Sequence, residues 1–156
     1  MTLADLAWLA AASYAIHILE EYTFDWRNWA RAVIKLPVEW NDFYVTNAVV
    51  VVLGIVQAML APTLQWPALI YASLMLINAV FFHILPLLRA KGRFSPDLIT
   101  AVVLFLPLSI AIWRRAAADG ALDPLTVVIG VGGGALLMAA PVVMLKLRSK
   151  PYFRQV

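Results

Sequence analysis

The sequence predicts an all-α integral membrane bundle of about five transmembrane helices, and three observations lead there. The 156 residues are 63% hydrophobic and 13% charged, against about 25% charged in an ordinary soluble domain. Mean hydropathy is +0.85. The apolar residues gather into five stretches, each close to the roughly 20 residues that a helix needs to cross hydrocarbon. None alternates polar with apolar as a barrel strand does, and backbone polar groups must be paired within lipid, so the stretches are helices.

The first stretch runs from Leu3 to Glu21. It lacks a basic leading region and a small-residue cleavage site before its acidic end, so it reads as a span and not as a signal peptide. The connection that follows, "WRNWARAVIKLP", has Trp26, Trp29, Ala30 and Val33 on one helical side and Arg27, Arg31 and Lys35 on another. That is the pattern of an interfacial amphipathic segment over about 24–36, an anchor in the simplest reading, and Pro37 ends it. The further stretches are Phe43 to Ala61, Pro67 to Leu88, Pro96 to Trp113 and Pro124 to Leu147. Together they make residues 1–156 one transmembrane helical domain.

Charge gives the orientation. Arg27, Arg31, Lys35, Arg89, Lys91, Arg93, Lys146, Arg148, Lys150 and Arg154 fall on one side of the bundle, against Arg114 and Arg115 on the other. The positive-inside rule then puts the N-terminus outside and the C-terminus in the cytoplasm, as an odd number of spans requires. A net charge of +3 carried on such loops fits membrane lipid as a partner and makes nucleic acid a remote one. With no cysteine there is neither a disulfide framework nor a thiolate metal site.

Within this apolar chain, "HILEEY" at 17–22 stands out. At about 100° per residue Ser13, Tyr14, His17, Glu20 and Glu21 share an arc of roughly 120°. An ionisable side chain at depth costs several kcal/mol unless it faces a bundle interior, a partner or water, so this face predicts a polar seam. His17, Asn47 and His83 fall in one layer across three spans, with Asn78 about 8 Å farther along the third. Asn78 and His83 are about 140° apart on a regular helix, and a kink from Pro86 is needed to turn both inward.

Imidazole and carboxylate ligands suit a divalent metal, zinc or iron. His17 and Glu21, four apart, reach one ion; His83 supplies the third ligand, and Glu20 is left as general base or as a partner of His17. Asn47, Asn78 and Tyr14 then line the substrate position. The expected function is a membrane-embedded enzyme doing acid–base or hydrolytic chemistry on a small apolar or amphipathic, lipid-like substrate, with Glu20, Glu21 and His17 as catalytic groups. Two alternatives stay open on the same residues: a metal-free proton-transfer isomerase, and a proton- or ion-coupled carrier. A purely structural seam would instead pair the glutamates with Arg27, Arg31 or Arg89.

His17, Glu20 and Glu21 also resemble the signature of the HXXEE family of small bacterial membrane proteins, which carries a second histidine and a Y-x-P-G motif. His83 in "NAVFFHI" stands at that histidine. "FSPD", Phe94 to Asp97, stands at the second motif, with Phe94 for tyrosine and Asp97 for glycine. The resemblance extends from about Ala10 to Trp113. It implies a multi-pass protein of the bacterial inner membrane, suspected to be enzymatic, and leaves the reaction open.

"FSPDL" by itself reads as a helix start, with Ser95 capping, Pro96 in the first turn and Asp97 at the positive helix end. A place for Asp97 in the polar seam is the second reading. Gly130 and Gly134 form a small-xxx-small face for close helix contact or a homo-oligomer. Pro107 and Pro141 are expected to kink their spans.

Overall fold

Among the described residues, five helices are long and apolar enough to cross a membrane: α1 (Leu3–Thr23), α2 (Trp40–Leu60), α3 (Trp66–Arg89), α4 (Leu98–Ala118) and α5 (Pro124–Arg148). The structure, a computed structural model, describes residues 1–90, 94–148 and 150–153; Lys91, Arg93 and Arg154, counted above, lie outside the described residues. Among the described residues there is no strand. The sequence bounds hold to within a few residues, except that α4 continues past Trp113 through Arg114 and Arg115.

Each helix start has a local cause. Thr2 and Asp5 exchange side-chain and backbone hydrogen bonds at the start of α1, and Asp42 accepts the Glu39 N–H at 2.9 Å before α2, which satisfies amide donors that a helix end leaves unpaired. Asp123 accepts the Thr126 N–H at 3.0 Å to open α5. The α4 to α5 turn uses Gly120 at φ 71°, where a side chain is disfavoured.

Three proline positions are preceded by a widened, π-type turn: Ala30–Ile34 before Pro37, Ala79–Ile84 before Pro86, and Ala101–Phe105 before Pro107. Proline cannot donate back along the helix and clashes with the carbonyl four residues earlier. In α3 and α4 the widened turn takes up that conflict, with Leu85 N–H reaching Val80 and Leu106 N–H reaching Ala101.

Of its most apolar stretch, 56% is buried in α3 and 11% in α5, which makes α3 the centre of the bundle and α5 its outermost member. The α3–α5 contact is nonetheless the most extensive, because glycines let the backbones meet. A Cβ on Gly134 would lie 2.5 Å from Ser73 Cβ and 2.7 Å from the Leu74 amide nitrogen, and one on Gly130 would lie 3.0 Å from Leu69. The close contact read from Gly130 and Gly134 is thus made within one chain, and those two glycines leave no open small-residue face for a second copy there.

The outward surface is apolar: Leu88, Val128 and Leu136 are 67%, 68% and 73% exposed, which water would not tolerate over so many contiguous side chains. At one end, the helical connection Trp26–Trp29 with its turn Ala30–Ile34 buries Trp26, Trp29 and Ala30 against Val38, Phe43 and Leu145. Its basic side faces away, where Arg27 and Arg31 both pair with Glu39.

Candidate functional site

At the end of the bundle that carries this connection, α1, α3 and the segment before α4 bring together His17, Glu21, His83 and Asp97. One potential ligand atom from each lies within 4.8 Å of all the others, and all four residues are buried. Helix periodicity puts His17 and Glu21 on one side of α1. The widened turn in α3 does the rest. With an extra residue in the turn, Asn78 and His83 come onto the same face, and Asn78 Oδ1 stands 2.9 Å from His83 Nε2. The kink anticipated from Pro86 takes the form of this π turn.

Hydrogen bonds set the His17 lone pair. Thr100 Oγ1 donates to the Asp97 carbonyl at 3.3 Å, so at 2.8 Å it accepts from His17 Nδ1–H. His17 Nε2 is then the lone-pair nitrogen, and it is buried with no hydrogen-bond partner. Fixing one ring nitrogen in this way is how metal-ligating histidines are oriented. His83 Nε2 stands 2.9 Å from Asn78 Oδ1, and its Nδ1 lies 4.0 Å from Asp97 Oδ2 and 3.3 Å from Ser95 Oγ, which itself donates to the Pro96 carbonyl at 3.2 Å, so both ring nitrogens face acceptors. The rings stack on their surroundings: His17 lies 4.2 Å from Phe105 and 5.1 Å from His83 between centroids. Tyr14, buried beside it, makes an edge contact at 5.7 Å.

The two glutamates of the motif go to different places. Glu20 accepts the Ile99 and Thr100 N–H groups at 3.2 and 2.8 Å, and so caps the first turn of α4 from outside, where a carboxylate also meets the positive end of the helix. Glu21 turns inward, with Asn47 Nδ2 donating to its Oε2 at 3.3 Å. The structure therefore brings Glu21 but not Glu20 into the cluster.

Asp97 corrects the helix-start reading of "FSPDL". It adopts φ 75° and ψ 2°, in the left-handed region, and makes no side-chain cap. Its carboxylate instead is buried beside that of Glu21, and Ser95 faces His83. Burial first, and then the neighbouring Glu21 charge, hold the Asp97 carboxyl well above its usual range. The ion pairs of Arg27, Arg31, Arg115 and Arg148 go to Glu39, Asp119 and Asp42, and none of these reaches the two buried carboxylates.

Beside the cluster lies a cavity of about 590 Å³ whose lining includes Tyr14, Glu21, Asn47 and Asn78. Of the four clustered groups, Glu21 alone is on its wall. Sequence reasoning missed the part of Thr100 in orienting His17 and ranked Asp97 low. The signal for Asp97 was an acid at the glycine position of a turn motif.

These features define a class: a small helical bundle of membrane-spanning composition, with a buried histidine and carboxylate cluster at one end. Within that class the chain belongs to the HXXEE family, described as a protein of unknown function with HXXEE motif, whose model matches residues 8–112. No curated protein and no solved structure matches it.

Proposed function

We propose that the protein is a membrane-embedded, divalent-metal-dependent enzyme acting on an apolar or lipid-like substrate. In this reading it spans the bacterial inner membrane with its N-terminus outside and its cluster near the cytoplasmic face, and the connection at 24–36 lies in the interface. The observation that carries the proposal is the convergence of four ligand atoms within 4.8 Å, two of them from carboxylates that have no Arg partner among the described residues. Like charges buried this closely require a cation or a proton between them.

Zinc or iron fits the donor set, since imidazole nitrogen and carboxylate oxygen are ordinary ligands for both. Such an ion supplies Lewis acidity and a bound water of lowered pKa. His17, His83, Asp97 and Glu21 would hold it. Glu21, on the cavity wall, is the group that would give or take a proton at the substrate. Asn47 and Asn78 orient what enters, and Tyr14 walls the position. Glu20, expected from sequence to move the proton, acts in this reading as a positioning residue, because it holds the turn that carries Asp97 and Thr100.

Elemental analysis of protein purified in mild detergent without a histidine tag tests the reading. About one zinc or iron per chain is expected, lost in His17→Ala and His83→Ala. Metal-free protein in every preparation, supplemented ones included, would overturn it. A second reading then takes its place: proton transfer between Glu21 on the cavity wall and Asp97 behind it.

A further inference from the structure

One wall of the bundle stays open. α2 and α5 make few contacts with each other, and residues of both line the cavity. At about 590 Å³ it falls inside the range of small-molecule sites, which is about 300–1,000 Å³. Its sides are Val45, Val49 and Leu53 of α2 and Leu137, Met138 and Pro141 of α5. Val45 and Val49 are exposed, so the cavity opens sideways onto the surface that faces lipid.

The mouth has a different chemistry, because Arg148, Asp42 and Asn41 stand on its lining. Arg148 pairs with Asp42 through one nitrogen, and a guanidinium has five N–H donors in all, so it keeps donors for a ligand. Leu53 lies eleven residues beyond Asp42 along α2, about 16 Å at 1.5 Å per residue, the reach of roughly a dozen methylenes.

We infer that this groove binds a single-chain acyl amphiphile with an anionic head group, the head at Arg148 and the chain between α2 and α5. The inference rests on the proposed function in that it names the substrate class of the same site. Asn47, the partner of Glu21, is five residues deeper than Asp42, about 7 Å. Glu21 therefore faces the first carbons of the chain and not the head. A two-chain phospholipid does not match one narrow slot between two helices, and a neutral head would leave the donors unused.

Photo-crosslinking tests it on the full chain in nanodiscs, with a palmitate analogue carrying a diazirine in mid-chain and the matching alcohol as neutral control. Labelling is expected within 45–53 and 137–144, stronger for the acid than for the alcohol. Val49→Trp and Leu137→Trp, each filling the slot from a different helix, should abolish it, and Arg148→Gln should weaken binding of the acid about tenfold. Competition by unlabelled palmitate or by lysophosphatidate tells a free fatty acid from a lysophospholipid; either result supports the inference. Labelling spread over all outward helix faces, equal labelling by the alcohol, or indifference to both tryptophan variants in folded protein would overturn it. Metal content measured on the same samples keeps the two proposals apart. Labelling without metal retires the metal enzyme alone, and metal without labelling retires the groove alone.

Discussion

The two halves of the bundle solve burial in opposite ways. In the half away from the connection, small residues let backbones touch: Gly54 sits under Tyr71, and Gly130 and Gly134 sit against α3. Polar groups there are few, and Gln57 donates to the Ala7 and Gly54 carbonyls. In the other half the helices carry π turns, aromatic rings and four buried ionisable groups, and a cavity lies between α2 and α5. One half holds the helices at fixed distances so that the other can keep groups close that repel one another.

Breaking the tight half should have the largest effect. Gly134→Leu forces a side chain into backbone atoms of α3, and a loss of about 3 kcal/mol or more is expected, read as a collapse of thermal stability by circular dichroism in detergent. If the variant melts with the wild type, the α3–α5 contact is not what sets the geometry. Next is Thr100→Val, which keeps volume but releases His17 Nδ1. Metal affinity should fall about 10- to 100-fold with little change in melting, and an unchanged titration would remove Thr100 from the site.

Glu20→Gln is a smaller perturbation. It leaves one acceptor for two amides and removes a charge from the start of α4, for about 1 kcal/mol. Hydrogen exchange at Ile99 and Thr100 should rise while the α3–α5 contact stays protected. The smallest effect belongs to Glu39. Arg27 and then Arg31 hold its carboxylate below the ordinary value of 4.5, so the contribution is present above about pH 4.5 and is lost as pH falls through the lowered value. Glu39→Gln should flatten that part of the stability profile slightly, the group being exposed. A steep change there would mean that the connection bears more of the fold than its ion pairs imply.

Much of this was legible in the sequence, for identifiable reasons. Hydropathy over about 20 residues located the five helices, since length and apolarity are all that crossing requires. The 3.6-residue period placed His17 and Glu21 together. It could not say that Glu20, on the other flank of His17, would meet the start of α4, because that depends on which neighbour stands there. The same period misjudged Asn78 and His83, which share a face only through the widened turn before Pro86. Asp97 was read as a helix-start residue because its carboxylate direction follows from a positive φ that periodicity does not report. The groove was invisible for another reason: it is a gap between α2 and α5, and gaps have no residues of their own.

The left-handed turn at Asp97 has an electrical consequence. Glycine adopts φ 75° freely, and an L-residue there costs up to about 1–2 kcal/mol, so Asp97→Gly should leave the chain no less stable. In a metal-loaded cluster it would also remove a negative charge. With Glu21 and Asp97 ionised and both histidines neutral, a divalent ion in the cluster is neutralised in full, whereas a relative with glycine at this position would be left with one unit of positive charge. A centre that is neutral overall exerts no long-range pull on an anion, so under the two proposals an acidic head group would have no reason to leave Arg148 and slide inward, and the hydrocarbon next to it is what Glu21 would meet.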